Sequence, residues 1–159
     1  MNPAGAPEAA PPAAAVQAVD ASYLESLIGY NARRAALALI DAFLGGMGAY
    51  HLRPVDFSVL SLVLHNPGIT SRQLCAALGI LPPNLVGIVG ALERRGLILR
   101  RPHPTDGRAM GLHLTAGGLR LMRRAERTAA QVEARAAARL SAAETRTLLR
   151  LLRKLYLSQ

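Results

Sequence analysis

Three features of the chain predict a mainly α-helical fold carrying a small β wing. Between Gly68 and Thr115 two helical patterns lie one short turn apart, and two extended segments flanking an Arg- and His-bearing loop follow them, which is the layout of a winged helix-turn-helix head. Alanine and leucine dominate while aromatic residues make up only 4%, favouring helix over sheet. The C-terminal helical pattern is apolar around too much of its circumference for a monomer's surface, so helices on both sides of the head are expected to dimerise.

Residues 1–19 (MNPAGAPEAAPPAAAVQAV) are low-complexity Ala/Pro and read as a disordered tail. The ordered subunit is expected over 20–159. Asp20 or Ser22 can cap a first helix carrying Leu24, Leu27, Ile28, Ala35, Leu39 and Ala42 on one face, with Asn31 interrupting the stripe and Gly45-Gly46 as its stop. Pro54 suits the first position of a second helix that buries Phe57, Leu60 and Val63/Leu64 and ends at His65-Asn66-Pro67-Gly68. Thr70 with Gln73 forms a capping box for a short third helix, broken at Gly79. Pro82-Pro83 opens a fourth that turns Leu85, Val89 and Leu92 inward and ends at Gly96. Strands follow at Leu97–Arg101 and Met110–Leu114. Thr115 caps a long fifth helix with Leu119, Met122, Ala125, Ala129, Val132, Ala136 and Leu140 on one face, and Ser141 with Glu144 caps a leucine-rich sixth. The Gly117-Gly118 pair reads as helix punctuation. In domain terms, 20–49 and 116–157 are the dimerisation helices and 54–115 the winged head.

The chain carries a net charge of +9, and its pI is near 11.2. Its basic residues are arginine apart from Lys154. Between 91 and 127, nine arginines face Glu93, Asp106 and Glu126, a net of +6, and a concentrated cationic zone points to a polyanion. A single cysteine, Cys75, excludes an internal disulfide framework and a multi-Cys zinc site. His65, His103 and His113 are too scattered for a metal triad, and neither a metal nor a cofactor is expected. No run approaches the ~18 apolar residues of a membrane span, and the N-terminus lacks the basic start of a secretory signal, so the expected location is the cytoplasm. No nucleophile–base pair, paired carboxylates or Gly-rich phosphate loop stands at a usable spacing, so the chain is not read as an enzyme.

Several pieces in order (LIGYNARRA, LRPVDFSVLSLVLHNPGIT, SRQLCAALGI, LVGIVGALERRGLILRR, then DGR and LHLTAGG) resemble the MarR family of bacterial transcriptional regulators from about Leu24 to the C-terminus. The resemblance implies a homodimer whose two winged heads grip a near-palindromic double-stranded DNA operator, usually in repression. It also implies release by a small aromatic compound, often a carboxylate, bound between the dimer helices and the head.

A recognition helix presents its N-terminal turns to the major groove, here Pro82, Pro83, Asn84, Gly87, Ile88 and Ala91. Asn84 either pairs bidentately with an adenine or helps to cap its helix. Family members often carry Ser or Thr near 83–84 and Arg near 87 and 91, where this chain has Gly87 and Ala91, so its specificity should lean on the wing and on DNA shape. Gly87 and Gly90 fit either close approach to DNA or tight packing. Arg108 matches the family's minor-groove wing arginine and Asp106 its acidic partner, while Arg100, Arg101 and His103 belong at the base of the wing near phosphates. Thr70, Ser71, Arg72 and Gln73 can donate to phosphates from the start of the third helix.

For the effector, Asn31 needs partners, found either across a dimer core or in a pocket. The family's pocket borders this region, which makes Tyr30, Asn31, Arg34, His51, Arg53 and Phe57 the candidate set, with an arginine as carboxylate clamp. Cys75 is read as a small buried residue, with a redox-responsive repressor as the rival. A winged-helix module for protein contacts or low-specificity DNA binding is the remaining alternative.

Overall fold

The computed structural model describes residues 19–102 and 109–157, and the chain divides into two compact units, one up to Arg34 and one from Ala35 onward. In the first unit the single helix expected from Asp20 is broken in two. A short α1 (Ser22–Glu25) ends at Ser26, and α2 starts at Ile28 and continues into the second unit as far as Met47. Asn31 explains the break locally, because its Nδ2 donates to Glu25 O at 2.7 Å and Leu27 O at 2.8 Å. Glu25 ends α1 and its carbonyl lacks a helical partner, while Leu27 O also accepts from Asn31 N at 3.2 Å. The amide expected to seek partners across a dimer core or in a pocket therefore spends both protons on its own segment.

In the second unit α2 runs through Gly45-Gly46 rather than stopping there, and a 3-10 turn, Gly48–Tyr50, follows it. A methyl group at Gly46 would collide with the Val132 side chain, so this glycine serves helix packing instead of termination. His51 then takes a left-handed conformation (φ 51°) that turns the chain into α3 (Pro54–His65). A two-residue strand β1 (Ile69–Thr70) leads into α4 (Ser71–Leu78), followed by α5 (Pro82–Arg94), β2 (Ile98–Pro102), β3 (Met110–Leu114), α6 (Ala116–Ala136) and α7 (Ala142–Tyr156).

At α1 the N-cap is Ala21 rather than Asp20 or Ser22, with no side-chain capping bond, although Asp20 Oδ1 accepts from Ser22 N at 2.9 Å. The other expected caps are present. Thr70 and Gln73, and Ser141 and Glu144, form reciprocal boxes, Thr115 Oγ1 accepts from Gly118 N, and Gly79 and Gly96 adopt positive φ at the ends of α4 and α5. The sheet is antiparallel in the order β1-β3-β2, with Arg100 opposite Leu112 and Arg101 opposite Gly111. The sequence reading missed β1, which is too short for an alternation signal. It is held by register with β3 and by Gly68 N donating to Leu112 O at 2.9 Å.

The core is one apolar set drawn from every layer of the head: Val59, Leu60 and Val63 of α3, Leu74 of α4, Leu85, Val89 and Leu92 of α5, Leu112 of β3 and Met122 of α6. Met122 and Ala125 of α6 are buried, whereas the helix ends at Ala136 and Leu140, expected on it, lies beyond that end and is exposed.

Among the described residues Asp56 is the buried charge, 5% exposed, and it organises the start of α3. Its carboxylate accepts from Arg53 N at 3.1 Å, Nε at 2.9 Å and Nη2 at 2.8 Å. Burial pushes the carboxyl's pKa up, but the Arg53 hydrogen bonds and the charges of Arg53 and Arg95 outweigh it and hold the pKa below its ordinary 3.8. A depressed carboxylate stabilises the fold above its unfolded pKa and loses that contribution as pH falls through the folded value. Asp56→Asn should therefore cost about 1–2 kcal/mol at neutral pH, and the gap to the native chain should narrow below pH 3.8. Urea titrations at both pH values check this; a gap of constant size would remove Asp56 from the account of acid stability.

Candidate nucleic-acid interface and an arginine-lined cleft

The turn between α4 and α5 presents two helix starts to solvent. At α4, Gln73 Oε1 accepts from Thr70 N and Thr70 Oγ1, both at 2.9 Å, so the box occupies these acceptors and fixes the helix end. The Gln73 backbone N–H is taken by Thr70 Oγ1 at 3.3 Å, which leaves the exposed Arg72 side chain, the Gln73 side-chain nitrogen and the Ser71 and Arg72 N–H groups as donors for phosphate. Of the predicted set, Thr70 and Ser71 are half-buried.

At α5 the N-cap is Leu81, with no side-chain capping bond, and Pro82 stands in the first turn. Asn84 is exposed, and among the described residues no hydrogen bond to its side chain restrains it. That leaves its amide available to a base edge and disposes of the capping alternative. Pro83 and Gly87 are exposed beside it. A methyl group at Gly87 would meet open space, so packing within the chain does not require this glycine. Gly90 has only the Arg94 guanidinium nearby, 3.4 Å from such a methyl. Ile88 needs correcting as a reader, because it is half-buried and packs on the core. The apolar side chain that faces outward on this helix is Val86, 65% exposed. The sequence reading passed over it, since Val next to Leu85 looks like core.

The wing strands are in place, but His103, Asp106 and Arg108 lie outside the described residues. Arg100 is not a free phosphate contact. Its Nε and Nη2 bond the Glu93 carboxylate at 2.8 and 3.2 Å, tying the base of the wing to the recognition helix. Arg101, on the same strand, is exposed.

The predicted effector residues fall in both units. In the first, the Arg34 guanidinium lies 6.0 Å from the Tyr30 ring centroid, and Asn31 is engaged as described. In the second, Arg53 is committed to Asp56, and Phe57 packs edge-on against Phe43 at 5.5 Å. Only His51, among the candidates of this unit, borders a cleft. That cleft, of about 640 Å³, opens between Tyr50–His51 and the outer face of α6, and arginines ring it.

Arg95 fixes one wall. Its Nη1 donates to His51 O at 2.9 Å and its Nη2 to Tyr50 O at 3.0 Å, joining the end of α5 to the turn before α3. Glu126 sits on the other side of α6, where it accepts from Ser61 Oγ and faces His65 Nε2, each at 2.9 Å. Tyr50 Oη shares a 2.8 Å hydrogen bond with Thr128 Oγ1. Glu93, Arg95 and Glu126 were not singled out as site residues in the sequence; the partners of Arg95 and Glu126 lie far along the chain, and Glu93 meets Arg100 only once the turn into β2 is formed. Cys75, expected as a small buried residue, packs against the core but is only half-buried.

Comparison with known proteins places this geometry in context. A MarR-family model matches residues 52–109. A protein named for transcriptional regulation of the hcr operon in Thauera aromatica is 32% identical over 130 residues, covering 81% of this chain and 78% of that protein. Among solved structures, the repressor CouR bound to a 23-mer DNA duplex superposes with a TM-score of 0.82 at 35% identity, over 87% of this chain and 99% of that one. CouR bound to p-coumaroyl-CoA gives 0.78 at 34% identity, over 87% and 97%. Among the described residues, no single helix is long and apolar enough to cross a membrane. Capped helix-turn-helix, three-stranded wing and these likenesses converge, and the chain belongs to the MarR family of DNA-binding transcriptional repressors.

Proposed function

We propose that the chain acts as a homodimer whose two heads bind the halves of a near-palindromic operator, and that an aromatic effector, either a free acid or its coenzyme A thioester, releases it. The observation that carries the DNA half is the solvent-facing N-terminal surface of α5. Asn84, Val86 and Gly87 stand there unobstructed, with Arg72 on the adjoining α4. Residues 20–49 and 116–157 supply the dimer helices and 54–115 the DNA-binding region. The likeness to CouR, solved on DNA and on p-coumaroyl-CoA, supports both halves of the reading.

Two heads meeting successive major grooves must sit about 34 Å apart. An effector that prefers another separation needs a coupling of only about 1–3 kcal/mol. Arg108, with Asp106 steadying it, enters the minor groove, and Arg101 and His103 serve phosphates at the base of the wing. The test is footprinting with binding titrations. A short symmetric protected site is expected, and Arg108→Ala should weaken it by roughly 1–3 kcal/mol, about five- to 150-fold, while circular dichroism stays native. Equal affinity for operator and scrambled duplex would overturn the reading, and an unaffected Arg108→Ala variant would remove the wing from it.

A further inference from the structure

The cleft between Tyr50–His51 and α6 is more cationic than dimer packing or core formation requires. Arg120, Arg123, Arg124 and Arg127 follow one another at three- and four-residue steps, so they share one face of α6, and all four are exposed. Like charges at these spacings repel one another. Glu126, three residues past Arg123, brings no relief from within the helix, because its carboxylate is engaged by Ser61 and His65 instead. Among the described residues, no carboxylate pairs with any of the four. Arg95 adds a fifth guanidinium, already anchored by two carbonyls and therefore preorganised. The cleft between these groups, about 640 Å³, lies within the range of roughly 300–1,000 Å³ that holds small molecules. Tyr50 supplies an aromatic surface at its edge.

Self-repelling arginines held open around a cleft are suited to a ligand carrying several phosphate charges, since guanidinium groups match phosphate oxygens bidentately. The duplex is the less suitable occupant. Arg95 follows the C-terminal end of α5, on the order of 16 Å along the helix from Asn84, at the end that enters the groove. We infer that this cleft binds the phosphate-bearing part of coenzyme A, so that the effector is an aromatic acyl thioester of coenzyme A rather than the free acid. The inference deepens the effector half of the proposed function and rests on it for its regulatory meaning, but the cleft itself can be tested without DNA. No covalent step is involved.

The experiment titrates free coenzyme A, dephospho-coenzyme A and ADP into the full-length protein by calorimetry, with an Arg124→Ala/Arg127→Ala variant and an Arg146→Ala/Arg150→Ala variant of α7 as the charge-matched control. Saturable binding in the order coenzyme A, dephospho-coenzyme A, ADP is expected, weakened at least tenfold by the α6 variant and unchanged in the control. Absence of saturable coenzyme A binding, binding the α6 variant leaves intact, or ADP binding more tightly than coenzyme A would overturn the inference. Operator affinity of the α6 variant without effector is measured in parallel. A drop there equal to the drop for coenzyme A assigns the arginines to the duplex and also overturns it. Finally, p-coumaroyl-CoA and p-coumarate are compared for operator release. Release by the free acid at equal concentration defeats the thioester assignment but leaves the effector reading standing. If a broad set of aromatic acids and thioesters fails to release the operator, the effector reading fails, while the coenzyme A titrations still judge the cleft.

Discussion

Gly118→Ala should destabilise the fold by about 3 kcal/mol, lowering the thermal midpoint by roughly 6–12 °C for a chain of this size. A β-carbon at this position would run into the Leu97 carbonyl oxygen and lie 3.1 Å from its carbon and 3.3 Å from its Cα. These are backbone atoms, which cannot swing aside like the end of a side chain. Nor can the strand retreat, because Leu97 O accepts from Thr115 N at 3.0 Å while Thr115 Oγ1 donates to Gly96 O at 2.6 Å and accepts from Gly118 N at 3.0 Å. The entry to β2 and the first turn of α6 are thus knotted through one residue without a side chain.

Gly87→Ala supplies the contrast. A methyl there meets open space in the middle of α5, so helix propensity alone should raise stability by about 0.5–1 kcal/mol. Operator affinity should fall if α5 lies close to the duplex. Thermal melts of both variants decide the matter, and an unshifted midpoint for Gly118→Ala would show that β2 and α6 are not locked as described.

The two glycine pairs also mark where local sequence stops being informative. Gly45-Gly46 and Gly117-Gly118 look alike as punctuation, yet one lies inside a continuing helix against Val132 and the other inside a first turn against Leu97. The difference is made by what packs against them, which no local spacing encodes. Elements whose cause is local were legible. Thr70 with Gln73, Ser141 with Glu144, Pro54, Pro82, Gly79 and Gly96 set their helix ends through contacts within a few residues, and Leu85, Val89 and Leu92 faced inward as their spacing required. The break before α2 was missed, although its cause is near at hand, because an asparagine in an apolar stripe reads as a tertiary contact before it reads as a bond to its own helix start. Site residues divided in the same way. Asn84 and Arg101 are exposed, as a DNA contact would require, whereas Arg53, Arg100 and Ile88 are already engaged by Asp56, Glu93 and the core. The arginine face of α6 was visible as charge, but the cleft beside it depends on Arg95 reaching back to Tyr50 and His51.

A Leu152→Glu/Leu155→Glu variant should dissociate the dimer and cut operator affinity by roughly 10²–10⁴, the advantage that linking two heads provides. Leu148, Leu151, Leu152 and Leu155 form a stripe along α7, and Leu152 and Leu155 remain 38% and 56% exposed in the single chain. Leucines left in water forgo about 1.5–3 kcal/mol each of burial, and such a stripe accounts for a second copy as its cover. Because they are exposed in the subunit, replacing them removes no core contact, and the capping box at Ser141 and Glu144 keeps the helix start intact. Circular dichroism should therefore remain native while sedimentation velocity reports a mass near one chain, 16.9 kDa. Each isolated head would retain its own contacts through Asn84 and the wing and lose only the second half-site, so binding should become weak and indifferent to half-site spacing. A variant that still sedimented as a dimer and footprinted the full palindrome would move the dimer interface away from α7.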